Sequence, residues 1–96
     1  MSKDIGPGMK FDGDKPMMNL IPGETLEGLG RVLTYGANKY SANNWQNVDI
    51  ERYKAALLRH YTAWIMGEEV DPESGLHHTE HMLANCAFIH WKVNNE

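Results

Sequence analysis

The residues with the most chemistry in them lie between Gly67 and His81, in the stretch GEEVDPESGLHHTEH. Four acids, Glu68, Glu69, Asp71 and Glu73, come before three histidines, His77, His78 and His81, with Pro72 and Gly75 between the groups. Glu68 and Asp71 have the spacing E-x-x-D. On a continuous helix this spacing sets both carboxylates on one face, an oxygen-rich arrangement suited to Mg²⁺ or Mn²⁺. His77 and His81 are four apart and His78 and His81 three apart, and either pair can chelate a transition metal. The competing reading needs no ligand. Pro72 ends any helix shared by the two acids, and acids ahead of a helix start serve as caps. In that reading His60, His78 and His81 meet the acids in a buried hydrogen-bond network that fixes the corner between two helices.

A second constellation is cationic and aromatic. Lys10, Lys15, Arg31, Lys39, Arg52 and Arg59 supply positive charge, and Tyr35, Tyr40 and Trp45 supply flat faces. Arginine binds phosphate oxygens in bidentate fashion. Arg59 stands beside His60 among apolar neighbours in mid-helix, which makes it the most suggestive cation. Acids for a metal, cations for phosphate and an aromatic ring for a base together describe a nucleotide site. The bland alternative makes the cations solvated surface charges, Trp45 a loop anchor on the core and His60 a satisfied core residue.

These groups need helices to hold them. LIPGETLEGLGRVLTYGANKY reads as the first helix, with Pro22 near its start and Glu24 and Glu27 in its early turns. Leu26, Leu29, Leu33 and Tyr40 recur at near-helical spacing. Gly28, Gly30 and Gly36 each weaken a helix by about 1 kcal/mol. They predict close approach of another backbone or a ligand, or a break near Gly36. SANNWQNVD reads as a loop. DIERYKAALLRHYTAWIMGE is the clearest helix, with Asp49 as N-cap, Gly67 as C-terminal signal and Tyr53, Leu57 and Trp64 on its apolar stripe. DPESG is a turn capped by Asp71, after which Ser74 or Gly75 starts the last helix. Met82, Cys86, Ile89 and Val93 form that helix's predicted apolar stripe, and His78, His81, Asn85 and Phe88 a neighbouring one.

Residues 1–19 read as an extended arm and residues 20–96 as a single helical domain. With no strand pattern or repeat, the expected fold is all-α, a small bundle of about three main helices. A chain of 96 residues buries only roughly 60–65% of its unfolded surface, so completion by homo-oligomerisation is expected. The net charge of −4 argues against a duplex nucleic acid partner. Cys86 is the single cysteine, so no intrachain disulfide forms. The N-terminus lacks the apolar core of a signal peptide, and no apolar run approaches the roughly 20 residues of a membrane span. The expected location is cytoplasmic.

The segments KFDGDKPMMNLIP, VLTYGANKY, NW, RYKAALLRH and GEEVDPESGL, followed by a later H and AN, occur in that order. As an ordered set they resemble the phage-associated dATP/dGTP diphosphohydrolase N-terminal-domain family, over roughly Lys10 to Phe88. The resemblance implies a helical domain, host cytoplasm as its location, and hydrolysis of dATP or dGTP to monophosphate and pyrophosphate with a divalent cation, Mg²⁺ or Mn²⁺. Where the family has Leu-Pro-His this chain reads Leu76-His77-His78, which makes His77 the extra histidine. On this footing Glu68 and Asp71 are the expected metal ligands, and His78, His81 and Glu73 the catalytic groups. Lys10, Lys15, Tyr35, Lys39, Trp45, Arg59, His60 and Asn85 are the expected substrate-binding set. The alternative is a nucleotide-binding protein that does not cleave its ligand, such as a phage sponge for a nucleotide immune signal. Hydrolysis would depend on metal, whereas sequestration need not.

Overall fold

The computed structural model describes residue 8 and residues 13–96. Three helices make up the fold: α1 at Gly23–Lys39, α2 at Ile50–Ile65 and α3 at His78–Asn95. Single 3₁₀ turns lie at Met18–Leu20 and Asn44–Asn47. Among the described residues the only β feature is one antiparallel bridge, Val70 to His77, so the chain is all-α as expected. Most of the predicted N-terminal arm, including Lys10, lies outside the described residues. Its described end bends at residues 13–15 before the first 3₁₀ turn.

Local chemistry explains the helix boundaries. Pro22 precedes α1 and its carbonyl accepts from Thr25 N at 3.0 Å. Gly36 does not break α1. The helix runs on to Lys39, and Tyr40 N still donates to the Gly36 carbonyl at 2.9 Å. The close approach expected at the glycines occurs at Gly28, and the neighbour is a side chain rather than a backbone. A Cβ there would stand 3.1 Å from Cγ of Glu80 on α3. Arg31 reaches the same Glu80 carboxylate at 2.9 Å and Glu27 at 3.0 Å, which ties α1 to α3.

Asp49 caps α2, its carboxylate accepting from Glu51 N at 2.9 Å. At the other end Gly67 takes φ +103°, open to glycine at no steric cost. Gly67 N donates to the Trp64 carbonyl and Glu68 N to the Ala63 carbonyl, both at 3.0 Å. This Schellman closure satisfies the last carbonyls and turns the chain back at Glu68.

The last helix begins later than the sequence suggests. Asp71 caps the expected turn, with Gly75 N on its carbonyl at 2.8 Å and Glu73 N on its carboxylate at 3.2 Å. The chain then pairs with itself. Asp71 N donates to the Leu76 carbonyl at 2.9 Å, and His78 N donates to the Glu69 carbonyl at 3.1 Å. Those bonds and Gly75 at φ +76° hold residues 74–77 out of helical geometry. The N-cap of α3 is therefore His77, whose Nδ1 accepts from Thr79 N at 3.1 Å.

α3 is the central element. It packs against both α2 and α1, while α1 and α2 make no contact with each other among the described residues. The inward face of α3 follows the predicted His78, His81, Asn85 and Phe88 stripe more closely than the apolar one. Cys86 and Val93 of the expected apolar stripe are exposed, whereas His78, His81, Ala84, Asn85 and Lys92 are buried. Polar groups can occupy that face because each finds a partner. No buried side-chain nitrogen or oxygen among the described residues lacks a hydrogen bond. Lys92, only 5% exposed, donates to the Gln46 carbonyl at 2.8 Å and pairs with Glu96 at 2.9 Å. It thereby ties the second 3₁₀ turn to the end of α3. Beside it Trp45 stacks on Phe88 at 4.9 Å and meets Trp91 edge-on at 5.2 Å. Tyr53 packs on Phe88 at 4.8 Å and donates its hydroxyl to the Trp45 carbonyl at 2.6 Å.

Candidate functional site: a histidine–aspartate cluster on an arginine-lined cleft

Because α1 and α2 both rest on α3 and not on each other, a cleft remains between them. Its volume is about 1020 Å³, at the upper end of the range for small-molecule sites. Arg52, Arg59 and His60 of α2 line it, as do Tyr35 and Lys39 of α1 and the loop around Trp45. His81, Asn85 and Phe88 contribute from α3, and Asp71 and Glu73 from the turn.

The histidines meet at the α2–α3 crossing. The rings of His60 and His81 stack, with centroids 4.4 Å apart and planes 1° from parallel. His60 Nδ1 lies 2.8 Å from His78 Nδ1, and His78 Nε2 lies 2.7 Å from Glu68 Oε1. On the other side His81 Nε2 is 2.7 Å from Ser74 Oγ and 3.3 Å from Asp71 Oδ2. Ser74 Oγ also lies 3.2 Å from Asp71 Oδ2. Potential ligand atoms of His60, Asp71 and His81 all fall within 4.8 Å of one another.

Burial sets the protonation of the stacked pair. Desolvation pushes the pKa of His60 below its ordinary value, and the neighbouring His81 and His78 lower it further. Desolvation likewise lowers His81, with Asp71 opposing the shift. Both rings are therefore neutral at neutral pH, the form that accepts a proton or binds a metal. Glu73 behaves differently. Lys39 at 2.7 Å and the Tyr35 hydroxyl both donate to Oε2, and together they hold its carboxyl below the usual range. The same contact with Glu73 raises the pKa of Lys39, so that pair stays charged.

Arg52 and Arg59 stand apart. Neither pairs with an acid among the described residues, although both line the cleft. Guanidinium groups pair with phosphate and carboxylate oxygens in bidentate fashion, and these two are exposed on the cleft that His60, Asp71 and His81 also line.

The sequence-derived candidates divide on this geometry. Tyr35, Lys39, Trp45, Arg59, His60, Asp71, Glu73, His81 and Asn85 come together on one cleft. Lys15 is exposed and is not on the cleft wall. Glu68 and Asp71 do not share a helix, because α2 ends before both. Glu68 bonds to His78, while Asp71 sits with His60 and His81. His78 is 3% exposed, has both ring nitrogens engaged and does not line the cleft. Asn85 donates to the His81 carbonyl at 2.8 Å within its own helix. Two contributors stood outside the expected catalytic and binding sets, Arg52 although it was among the candidate cations. Arg52 lies seven residues before Arg59, two helical turns along one face, a spacing readable from sequence. Ser74 reaches His81 and Asp71 through the turn geometry, which left no signal.

The family described as "dATP/dGTP diphosphohydrolase, N-terminal" matches residues 6–96. The chain belongs to this family. It is also 40% identical over 88 residues to a protein of Salmonella phage PMBT28 named dATP/dGTP diphosphohydrolase. That match covers 92% of this chain but 30% of the phage protein. No solved structure matches the chain. In this member of the dATP/dGTP diphosphohydrolase N-terminal family, the described residues form three helices with a histidine–aspartate cluster where α2 crosses α3. No helix among the described residues is long and apolar enough to cross a membrane.

Proposed function

We propose that this chain binds a purine deoxynucleoside triphosphate in the cleft and, with a divalent cation, hydrolyses it to the monophosphate and pyrophosphate. The observation that carries the reading is the pair Arg52 and Arg59, without acidic partners among the described residues, on the same cleft wall as His60, Asp71 and His81. Family membership and the name of the phage relative supply the substrate class.

The roles follow from position. Arg52 and Arg59 bind phosphate oxygens, and their charge orients the triphosphate with its α-phosphorus toward the histidines. Trp45 and Tyr35 offer aromatic surface to the base. His81 faces the attacking water from the cleft wall, and the proton of that water passes to solvent. The water oxygen bonds to the α-phosphorus, the bond from that phosphorus to the bridging oxygen breaks, and pyrophosphate leaves. Glu73, held as an anion by Lys39 and Tyr35, keeps α1 and the turn in register. A bound divalent cation supplies charge neutralisation and a more acidic water.

A second reading is binding without cleavage, in which Arg52, Arg59 and the aromatic rings of the cleft hold a nucleotide that stays intact. Chromatography of the products after incubation with each deoxynucleoside triphosphate, with Mg²⁺, Mn²⁺ or chelator, separates the two. Monophosphate and pyrophosphate from purines only, abolished by chelator, supports hydrolysis. Intact nucleotide that nevertheless binds in calorimetry supports the second reading, and no binding at all rejects both.

A further inference from the structure

The donor set at the histidine–aspartate cluster differs from the oxygen-rich Mg²⁺ or Mn²⁺ site predicted from Glu68 and Asp71. Mg²⁺ takes oxygen ligands in strict octahedral geometry. Here the groups within ligating reach of Asp71 are two imidazoles, His60 and His81. Two nitrogens and one carboxylate suit borderline cations of the first transition row and zinc. We infer that His60, Asp71 and His81 form a site for a cation of that class, such as Zn²⁺, Co²⁺ or Mn²⁺, and that Glu68 and His78 form an outer relay holding His60 in its ligating tautomer.

The relay follows from donor counting. A carboxylate accepts, so His78 Nε2 is the donor to Glu68 Oε1 at 2.7 Å, and a His78 ring with one proton carries it there. Nδ1 of His78 then carries a lone pair. His60 Nδ1, 2.8 Å away, must be the donor of that contact. Neutral His60 has one N–H, so its Nε2 is left with the lone pair a metal needs. A carboxylate behind a ligating histidine is the recurrent outer-sphere device of metal sites, and here a second imidazole extends it. On the other flank, Ser74 lies within hydrogen-bonding reach of Asp71 Oδ2 and His81 Nε2, and Leu76 N donates to its Oγ at 3.1 Å. Three protein ligands that all line the cleft leave coordination positions for oxygens arriving from it. The inference names the metal for the reading above, but it concerns this chain's side chains and can be tested with no nucleotide present.

The test is titration of the full, chelator-treated chain with Co²⁺, followed by visible absorption, and with Zn²⁺, Mn²⁺ and Mg²⁺ by calorimetry. The expected result is one Co²⁺ per chain with ligand-field bands, displacement by Zn²⁺, and Mg²⁺ at least 100-fold weaker. Asp71→Asn removes the bands, and Glu68→Gln weakens binding by about 10–100-fold with unchanged far-ultraviolet circular dichroism. His90→Ala, on an exposed histidine of α3, leaves binding unchanged. If His81→Ala does not fold, the Asp71 and Glu68 variants still decide. Absence of Co²⁺ and Zn²⁺ binding, equal affinity for Mg²⁺, or binding untouched by Asp71→Asn overturns the inference. Nucleotide binding without transition-metal binding would sink this inference and leave the nucleotide reading standing. Metal binding without nucleotide binding would do the reverse.

Discussion

His60 Nδ1 and His78 Nδ1 face each other at 2.8 Å, a distance at which one must donate and the other accept. Two protonated rings cannot hold that contact, because both nitrogens would then be donors. With His60 stacked on His81, the crossing of α2 and α3 depends on these imidazoles staying neutral.

Stability of the metal-free chain should therefore fall in acid. The folded-state pKa values of His60 and His81 are lowered from 6.5 chiefly by burial. Their contribution is present in full above pH 6.5 and is lost as pH falls through the lower folded values, because the unfolded state takes up protons first. Thermal melts in chelator between neutral and mildly acidic pH should show a falling Tm. A flat profile would mean the rings are charged or solvated in the native state.

Arg59→Ala should weaken purine nucleotide binding by about 10–100-fold, the loss expected for charge-assisted hydrogen bonds of roughly 1.5–3 kcal/mol. Arg59→Lys should recover only part of it, since lysine lacks the bidentate fork. Calorimetry with a non-hydrolysable analogue measures both. Equal affinity in all three proteins would place the phosphates elsewhere.

Gly67→Ala should cost about 1–2 kcal/mol, because φ +103° is unfavourable for any residue with a Cβ. The damage should spread to the site, since the Schellman turn is what carries Glu68 to His78. A lower Tm together with weaker Co²⁺ binding is expected. Lower stability with unaltered metal affinity would separate the turn from the relay.

Lys92→Met should leave the Gln46 carbonyl without its donor and cost about 1–3 kcal/mol. Trp45 and Trp91 sit beside that joint, so tryptophan fluorescence should shift as the loop loosens. An unchanged spectrum and Tm would show that Lys92 is not a pin.

Leu58, Ile65 and Met66 on and after α2, Leu26 on α1 and Val93 on α3 are all more than half exposed. Apolar side chains left outside in this number predict association of copies. Light scattering should give a mass above the 10.9 kDa of one chain. A monomer at micromolar concentration would leave those side chains as plain surface.

The sequence was most legible where one residue settles a local backbone conformation. Asp49, Gly67 and Asp71 cap and turn as their types require, so the helix count and the corner were readable. The start of α3 was not, because it depends on pairing across the corner between Val70 and His77. Periodicity marked two neighbouring stripes on α3, and the polar one, His78, His81 and Asn85, is the more buried. The pattern scores apolarity, and here the buried positions hold polar groups whose partners come from elsewhere in the chain, such as Glu68 for His78 and Gln46 for Lys92. The same limit hid His60 as a potential ligand. On its own helix it is a lone histidine on an apolar stripe, and only the crossing with α3 gives it His81 and Asp71 as neighbours.

The missing contact between α1 and α2 has a mechanical consequence. α1 is held by Arg31 on Glu80 and by Lys39 on Glu73, ion pairs with solvent-exposed members, together with a narrow seam along α3. The cleft lies between two helices joined through α3, through the 3₁₀ turn at Asn44–Asn47 that packs on both α1 and α3, and through these ion pairs. Part of what holds α1 against the rest of the fold is therefore charge that dissolved salt screens.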